Sequence, residues 1–312
     1  MDENRITRQV EEYIAYKRSL GYIIKIESQE LRRFAKYTKS ISYNGSLTAE
    51  LAMRWSSLDN NFSRKYMARR LETLHTFAKY ISVFDTEAQI PQNGAFGKAH
   101  SRTTPHVYTD DETSLLMRGA TTLCSPDGIR VRTVTAAIGL MHATGIRVSE
   151  LTSLKIADVR IDEGYLSISN SKFRKDRLVP LHSTVVAKLL EYQAFIDSKI
   201  GVRDDEEYFF VTSYGHRFNT RAFEYAFQLI RQSALGDAAK SWRLYDFRHT
   251  FACNTVRRWH ETGEDVNQKL YLLSMYMGHA KPGDTYWYLS ATPALLEIAA
   301  RKFESRFGGE SV

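Results

Sequence analysis

The chain has 312 residues, of which 43% are hydrophobic, and 43 Lys and Arg against 36 Asp and Glu give it a formal net charge of +7. The length favours two domains and the apolar fraction excludes a disordered chain, while the positive charge suits a polyanionic partner, the alternative being an ordinary basic protein. Two cysteines exclude a disulfide framework, and the lack of a signal peptide or a membrane-length apolar run predicts a cytoplasmic protein.

The first 90 residues are predicted to form a small helical domain. Apolar side chains recur at helical spacing around Val10, in 31–38 and in 47–55. Ser63 is a candidate N-cap for a fourth helix that runs to about Ile81. The basic side chains of this helix that are predicted to face solvent or DNA are Arg64, Lys65, Arg69 and Arg70. The alternative is an ordinary solvated helix face, which is the usual fate of a run of charges.

Residues 91–105 are predicted to be a linker, because they lack periodicity and are rich in Gly, Pro and small polar residues. A second domain then covers 106–312. Thr109 and the three acids after it indicate an N-cap and the first turn of a helix. Residues 133–143 are rich in Val, Ala, Ile, Leu and Met and predict a buried helix.

The second domain is also predicted to contain one hairpin. Residues 164–170 alternate with period two, and 177–181 would be the partner strand, at the edge of the sheet because of Pro180. A last helix is predicted at about 293–306, with an apolar stripe along one side. The fold class is therefore mainly α with a small antiparallel β-sheet.

Four motifs in the second domain contain residues that suit phosphodiester chemistry. They lie at 144–151, with Arg147; at 248–252, with Arg248; at 277–279, with His279; and at Tyr288. Their order and spacing resemble the tyrosine recombinases, also called phage-integrase-type recombinases, over about residues 10–305. The resemblance implies that 1–90 is a SAM-like core-binding domain for DNA and that 106–312 is the recombinase catalytic domain.

The resemblance gives the first three motif residues a catalytic part. The planar forks of Arg147 and Arg248 match the non-bridging oxygens of a phosphate and would stabilise the charge of the transition state. Glu150 would orient Arg147 without acting as a base. His279 would hydrogen-bond the phosphate or help to position the attacking group.

Two further groups would carry the covalent step and the proton. Tyr288 is predicted to be the nucleophile, with Tyr286 as the local alternative. The predicted hairpin loop contains Lys172, and the resemblance makes this lysine the general acid that protonates the leaving 5′-oxygen. Lys175 is the alternative acid, and together with Arg174 it is a candidate DNA contact.

One position departs from the family pattern. Tyr245 stands where a histidine usually begins the second arginine motif. A tyrosine can donate a hydrogen bond to a phosphate but is not a cation at neutral pH, so it is kept as a candidate catalytic residue without a cationic role. His249 is not expected to replace that histidine, because adjacent side chains on a helix point in different directions.

The predicted activity is site-specific recombination of double-stranded DNA through a 3′-phosphotyrosine intermediate, without a metal or another cofactor. The resemblance also implies that the C-terminal helix docks on a neighbouring protomer, in a tetrameric assembly on nucleoid DNA. The favoured biological role is that of an integrase or transposase of a mobile element. The alternatives are strand relaxation of the type IB topoisomerase kind, and a catalytically silent DNA-binding accessory protein on the same fold.

Overall fold

The computed structural model describes residues 4–100, 103–169, 176–279, 283 and 285. The chain divides into two compact units, Met1–Thr103 and Thr104–Val312. The division falls inside the predicted linker at 91–105. Each unit has its own apolar core. The part of the chain that is described contains no helix that is both long and apolar enough to cross a membrane.

The first unit is a bundle of four helices. They are α1 (Arg5–Ser19), α2 (Lys25–Ser40), α3 (Ala49–Ser56) and α4 (Arg64–Ile81). Side chains cap three of the N-termini: Asn4 accepts from the amide of Thr7, Thr48 from Leu51 and Ser63 from Tyr66. The predicted N-cap at Ser63 is therefore confirmed. The core brings together the apolar faces of all four helices, with Phe34, Trp55 and Phe77 at its centre.

Arg70 corrects one prediction about α4, because its side chain is buried and does not face solvent. Only 5% of Arg70 is exposed, and its guanidinium carbon lies 3.7 Å from the ring centroid of Trp55 and 4.7 Å from that of Phe62. Its Nε is 3.9 Å from a carboxylate oxygen of Glu30. Burial lowers the pKa of Arg70. The aromatic faces and the acid accommodate a cation that the core would otherwise exclude.

The second unit is built around a buried helix. Its helices are α5 (Asp110–Gly119), α6 (Ile129–Thr144), α7 (Val148–Leu151), α8 (Ser183–Ile200), α9 (Thr220–Leu235), α10 (Asp246–Glu261) and α11 (Val266–Met277). The central helix α6 packs against α5, α8, α9 and α10, so its apolar residues find partners on several sides. The predicted N-cap at Thr109 is confirmed, and Thr109 and Glu112 form a capping box at the start of α5.

A three-stranded antiparallel sheet lies beside these helices. Its strands β1 (Val159–Arg160), β2 (Tyr165–Ile168) and β3 (Arg177–Pro180) are in the order β1-β2-β3, so β3 is an edge strand as predicted. In the register of the hairpin, Leu166 is opposite Val179. The sequence did not predict β1, because two residues are too few to show a period. The fold class, mainly α with a small antiparallel sheet, is confirmed.

Candidate active site

The ends of two helices meet in the second unit. Gly145 is the C-cap of α6 and Gly278 is the C-cap of α11, and both glycines have a φ of 61° in the left-handed region. The hydroxyl of Tyr276 donates to the carbonyl of Thr144 at 3.0 Å, which ties the end of α11 to the end of α6. A Cβ on Gly145 would come within 2.8 Å of Cδ1 of Phe251. Glycine is therefore required at this position by both conformation and space.

Arg248 links the two helix ends from inside the unit. It projects from the first turns of α10 and is 1% exposed. Its Nη1 donates to the carbonyl of Gly145 at 2.9 Å, and its Nη2 donates to the carbonyl of Met277. These carbonyls lie at the negative ends of two helix dipoles, which stabilises a buried cation there. The guanidinium is consequently held in one orientation.

Arg147 is held at the same corner by different contacts. It stands immediately before α7, and its Nη2 donates to the carbonyl of Gly278 at 2.7 Å. Its Nη1 donates to Oε1 of Glu150, also at 2.7 Å. The two arginines of the motifs thus converge on the joined ends of α6 and α11. Their side chains differ in exposure, since Arg147 is 15% exposed and Arg248 is buried.

Glu150 is shared between two arginines. Besides Arg147, it accepts hydrogen bonds from Nη1 and Nη2 of Arg177 at 3.0 and 2.7 Å. Burial of the carboxyl opposes its ionisation, but the hydrogen bonds and charges of Arg177 and then Arg147 outweigh burial and lower the pKa of Glu150 to about 2. The carboxylate therefore stays charged beside Arg147.

Sequence reasoning did not single out Arg177. It is the first residue of β3 and lies on the same face of the strand as the buried Val179, whereas Leu178 between them is exposed. An arginine at an inward-facing position of a strand requires a buried acid as its partner. The strand period was therefore the signal that could have identified this residue.

His279 follows directly after the end of α11. Its backbone amide donates to the carbonyl of Ser274 at 3.0 Å, in the manner of a helix C-cap. Its Nδ1 lies 2.8 Å from the hydroxyl oxygen of Thr285. His279 is thus one residue away from the glycine whose carbonyl holds Arg147. The structure brings together three of the predicted residues, Arg147, Arg248 and His279, with Glu150 beside them.

Tyr245 and His249 form a pair at the start of α10. Tyr245 is 45% exposed, and its ring centroid is 5.2 Å from that of His249 in an edge-to-face arrangement. His249 is buried. Burial, together with the positive charges of Arg243 and Arg248, outweighs the effect of Asp246 and lowers the pKa of His249 to about 4. His249 is therefore neutral at physiological pH.

Several predicted site residues lie outside the described residues. They are Lys172, Arg174, Lys175, Tyr286 and Tyr288, with the predicted C-terminal helix at 293–306. In the first unit, Arg64 and Arg69 are exposed and Lys65 is half-buried, whereas Arg70 is in the core. In the described part of the chain, no three His, Cys, Asp or Glu side chains are grouped so that they could hold a metal ion.

Comparisons with known proteins agree with this fold and with the family that the motifs resemble. A family model described as the phage integrase family matches residues 106–294. The putative integrase/recombinase y4rB of Sinorhizobium fredii is 33% identical over 304 residues, which is 96% of each chain. The tyrosine recombinase XerD of Staphylococcus saprophyticus is 26% identical over 249 residues, covering 80% of this chain and 79% of that one.

Solved structures share the fold. A structure of the Tn1549 transposon integrase with circular intermediate DNA matches with a TM-score of 0.67 at 16% identity, covering 95% of this chain and 99% of that one. The XerH recombinase bound to palindromic difH substrate matches with a TM-score of 0.64 at 18% identity, covering 89% and 79%. The class defined by this fold and site is that of enzymes that break and rejoin DNA strands. The chain belongs to the phage integrase family of tyrosine recombinases, as its motifs predicted.

Proposed function

We propose that the chain recombines double-stranded DNA at specific sites, with Tyr288 as the nucleophile and Arg147, Arg248 and His279 around the scissile phosphate. The observation that carries this proposal is the convergence of both arginines on the joined ends of α6 and α11, beside His279. Preorganised arginines stabilise the charge that develops on a transferring phosphoryl group, because they need no rearrangement when the reaction occurs.

The proposed reaction consists of two transesterifications. The hydroxyl of Tyr288 gives its proton to solvent as its oxygen attacks phosphorus and forms the 3′-phosphotyrosine, while the bond from phosphorus to the 5′-oxygen breaks; the second transesterification reverses both proton transfers. Lys172 donates the proton that this oxygen needs to leave as a hydroxyl, with Lys175 as the alternative donor. A 5′-hydroxyl of a partner duplex then attacks phosphorus and displaces Tyr288. One phosphodiester is broken and one is made, so no outside energy source is required.

Tyr245 is proposed to assist at the phosphate as a neutral donor. Its exposed position at the start of α10, three residues before Arg248, is consistent with a hydroxyl that reaches a bound DNA backbone. A neutral hydrogen bond is weaker than a charge-assisted one. We therefore expect the arginines to contribute more to transition-state stabilisation than Tyr245 does.

The decisive experiment is covalent trapping on DNA. The wild-type chain is expressed in its host, in the presence of the total host DNA, and the cell contents are then denatured. The DNA that remains covalently joined to the protein is recovered and sequenced. We expect defined sites, and no adduct from Tyr288→Phe at unchanged DNA affinity, because only the attacking hydroxyl is removed. Tyr286→Phe is the matched control and should still form the adduct. An adduct from Tyr288→Phe that is absent from Tyr286→Phe would transfer the nucleophile to Tyr286.

Two variants test the arginines on the DNA recovered in this way. Arg147→Ala and Arg248→Ala should each slow adduct formation by roughly a hundredfold or more, the effect of removing one transition-state donor. Near-normal cleavage by either variant, with normal melting, would exclude that arginine from the reaction. Arg248→Ala needs the melting control most, because its side chain is buried between two helix ends.

The first unit is proposed to bind the duplex through the exposed basic side chains of α4, with Arg64 and Arg69 as the main candidates. Arg69 also donates from Nε to the carbonyl of Ala99 at 3.3 Å. Arg174 and Lys175 are proposed as further contacts from the hairpin loop. Binding to phosphates by these residues would make affinity fall as salt rises, because condensed counterions are released.

A mobile-element integrase or transposase is the proposed programme, acting on nucleoid DNA in the cytoplasm. It is supported by the likeness to proteins named as an integrase/recombinase and as a transposon integrase. The helix predicted at 293–306 is proposed to dock on a neighbouring protomer and build a tetramer on paired sites. Exchange of strands between two duplexes, measured beside relaxation of a supercoiled circle, separates this function from that of a type IB topoisomerase. Relaxation without exchange would contradict it.

A further inference from the structure

Arg177 is a charged residue of the candidate site to which the mechanism above gives no part. Its guanidinium donates to both oxygens of Glu150, with Nη1 at 3.0 Å and Nη2 at 2.7 Å. The side chains are 9% and 6% exposed. A bidentate pair of this kind is among the strongest and most directional hydrogen-bonded contacts in proteins. A buried ion pair of this kind is unusual at the first residue of an edge strand.

The same carboxylate also holds Arg147. Oε1 accepts from Nη1 of Arg147 at 2.7 Å, and Oε2 accepts from its backbone amide at 3.1 Å. Each oxygen of Glu150 therefore has one partner from Arg147 and one from Arg177. The two cations and one anion leave one net positive charge. Without Arg177, the net charge of this group would be zero, and Arg147 alone would neutralise the carboxylate.

Gly278 places this group beside the helix ends. A Cβ on Gly278 would lie 3.2 Å from Nη1 of Arg177 and 3.4 Å from Nη1 of Arg147. The two guanidiniums therefore pack against one glycine, whose carbonyl accepts from Arg147. Arg177 is also paired with Ile168 in the sheet. Its position is thus fixed by the backbone of the hairpin as well as by Glu150.

We infer that Arg177 is a positioning residue for DNA cleavage, which braces Glu150 so that Arg147 keeps its orientation and one net positive charge for the phosphate. The inference rests on the proposed contact between Arg147 and the scissile phosphate. Arg177 itself does not touch the reacting atoms. Its effect is electrostatic and geometric, and it acts through Glu150.

The test is a cycle of variants at Arg177 and Glu150. The substrate is a nicked duplex carrying a sequence recovered from wild-type covalent complexes, and the readout is the rate of adduct formation at saturating protein. Arg177→Gln should be roughly ten- to hundredfold slower, approaching the loss of a transition-state donor, with DNA affinity changed by less than about threefold. Arg177→Gln/Glu150→Gln should recover about tenfold or more, because removing both charges restores the net positive charge.

The recovery is the part of the result that a merely structural role would not produce. Arg203 supplies the matched control, since its side chain is 3% exposed, against 9% for Arg177, and it is paired with Asp197 at 3.0 Å in the same unit. Arg203→Gln should lower the melting temperature and leave the rate of adduct formation at saturating protein unchanged at a temperature where the protein is folded. If Arg203→Gln were as slow as Arg177→Gln, the slow rate would reflect a general loss of rigidity on removal of a buried ion pair, and the inference would be overturned.

Two further results would overturn it. One is an Arg177→Gln protein that forms the adduct within about threefold of the wild-type rate, and the other is a folded double variant no faster than the single one. If Arg177→Gln melts below the assay temperature, Arg177→Lys is used in its place. Its rate should fall about tenfold, because an ammonium lacks the planar fork of a guanidinium. A wild-type rate for Arg177→Lys would contradict the inference. Arg147→Ala is measured in parallel. A normal rate for Arg147→Ala removes the proposed function of that residue, whereas a slow Arg147→Ala beside a normal Arg177→Gln removes only the role of Arg177.

Discussion

Replacing Gly145 by alanine should damage the fold and the candidate site together. The φ of 61° at Gly145 is a conformation that costs a residue with a Cβ about 1–2 kcal/mol. The added Cβ would also stand 2.8 Å from Cδ1 of Phe251, and overpacking of this kind costs about 1–3 kcal/mol. The sum, about 2–5 kcal/mol, should lower the melting temperature of a unit of this size by about 5–15 °C. The carbonyl that accepts from Arg248 would move with the backbone.

Gly263 provides the matched control for this prediction. Its φ is 74°, and a Cβ there would meet no described atom within 4 Å. Gly263→Ala should therefore carry the conformational penalty alone, and thermal melting followed by circular dichroism separates the two contributions. Adduct formation at a temperature where both variants are folded then reports on Arg248. Equal melting temperatures and equal rates for the two alanine variants would refute the reasoning, because the close approach to Phe251 would then carry no energy.

Four other outcomes are expected. Arg64→Ala should weaken DNA binding and reduce the slope of log affinity against log salt by about 1. Arg70→Ala, by contrast, should lower the melting temperature and leave that slope unchanged. Equal slopes for the two variants would contradict the assignment of Arg64 to DNA binding and of Arg70 to the core. The pKa of His249 falls from 6.5 to about 4 on folding. As the pH is lowered, the unfolded chain is therefore protonated before the folded one, and stability should be lost as the pH falls from 6.5 towards 4. His249→Gln should flatten this part of the profile of melting temperature against pH, and an unchanged profile would refute this assignment. Lys172→Ala should be slow on ordinary DNA and recover on a substrate with a 5′-thiol leaving group, which leaves without a proton; equal impairment on both would indicate a binding part. Deleting 291–312 should leave a folded protein that binds one site but does not assemble on paired sites in a gel shift, and recombination by the truncated chain would exclude docking in trans.

The elements that were predictable from the sequence are those with local causes. Ser63 and Thr109 begin helices because each side chain caps the amide three residues further on. The hairpin was visible in the alternation of side chains. The motif residues were found by their resemblance to the family, in which the two arginines occur in the same order along the chain. The structure places Arg147 and Arg248 at the same corner.

Contacts between distant segments were not predictable in the same way. Arg70 was expected to face outwards, yet it lies on the helical face of Leu74 and Phe77, four and seven residues further on, and its aromatic partners come partly from α3. Arg177 was passed over because its acid belongs to a different element. The backbone carbonyls that hold the two arginines also escape prediction, since any residue type can supply a carbonyl.

The joined helix ends have a consequence for the order of folding during synthesis. The hydrogen bond from Arg147 to Gly278 spans 131 residues, and the bond from Arg248 to Gly145 spans 103. Contacts of such sequence separation close large loops and form only after the later segment has left the ribosome. A nascent chain that ends before α11 has the carbonyl of Gly145 but lacks the carbonyl of Met277 that accepts from Arg248 and the carbonyl of Gly278 that accepts from Arg147. The corner that holds Arg147 and Arg248 is therefore complete only when the chain has been made at least as far as Gly278.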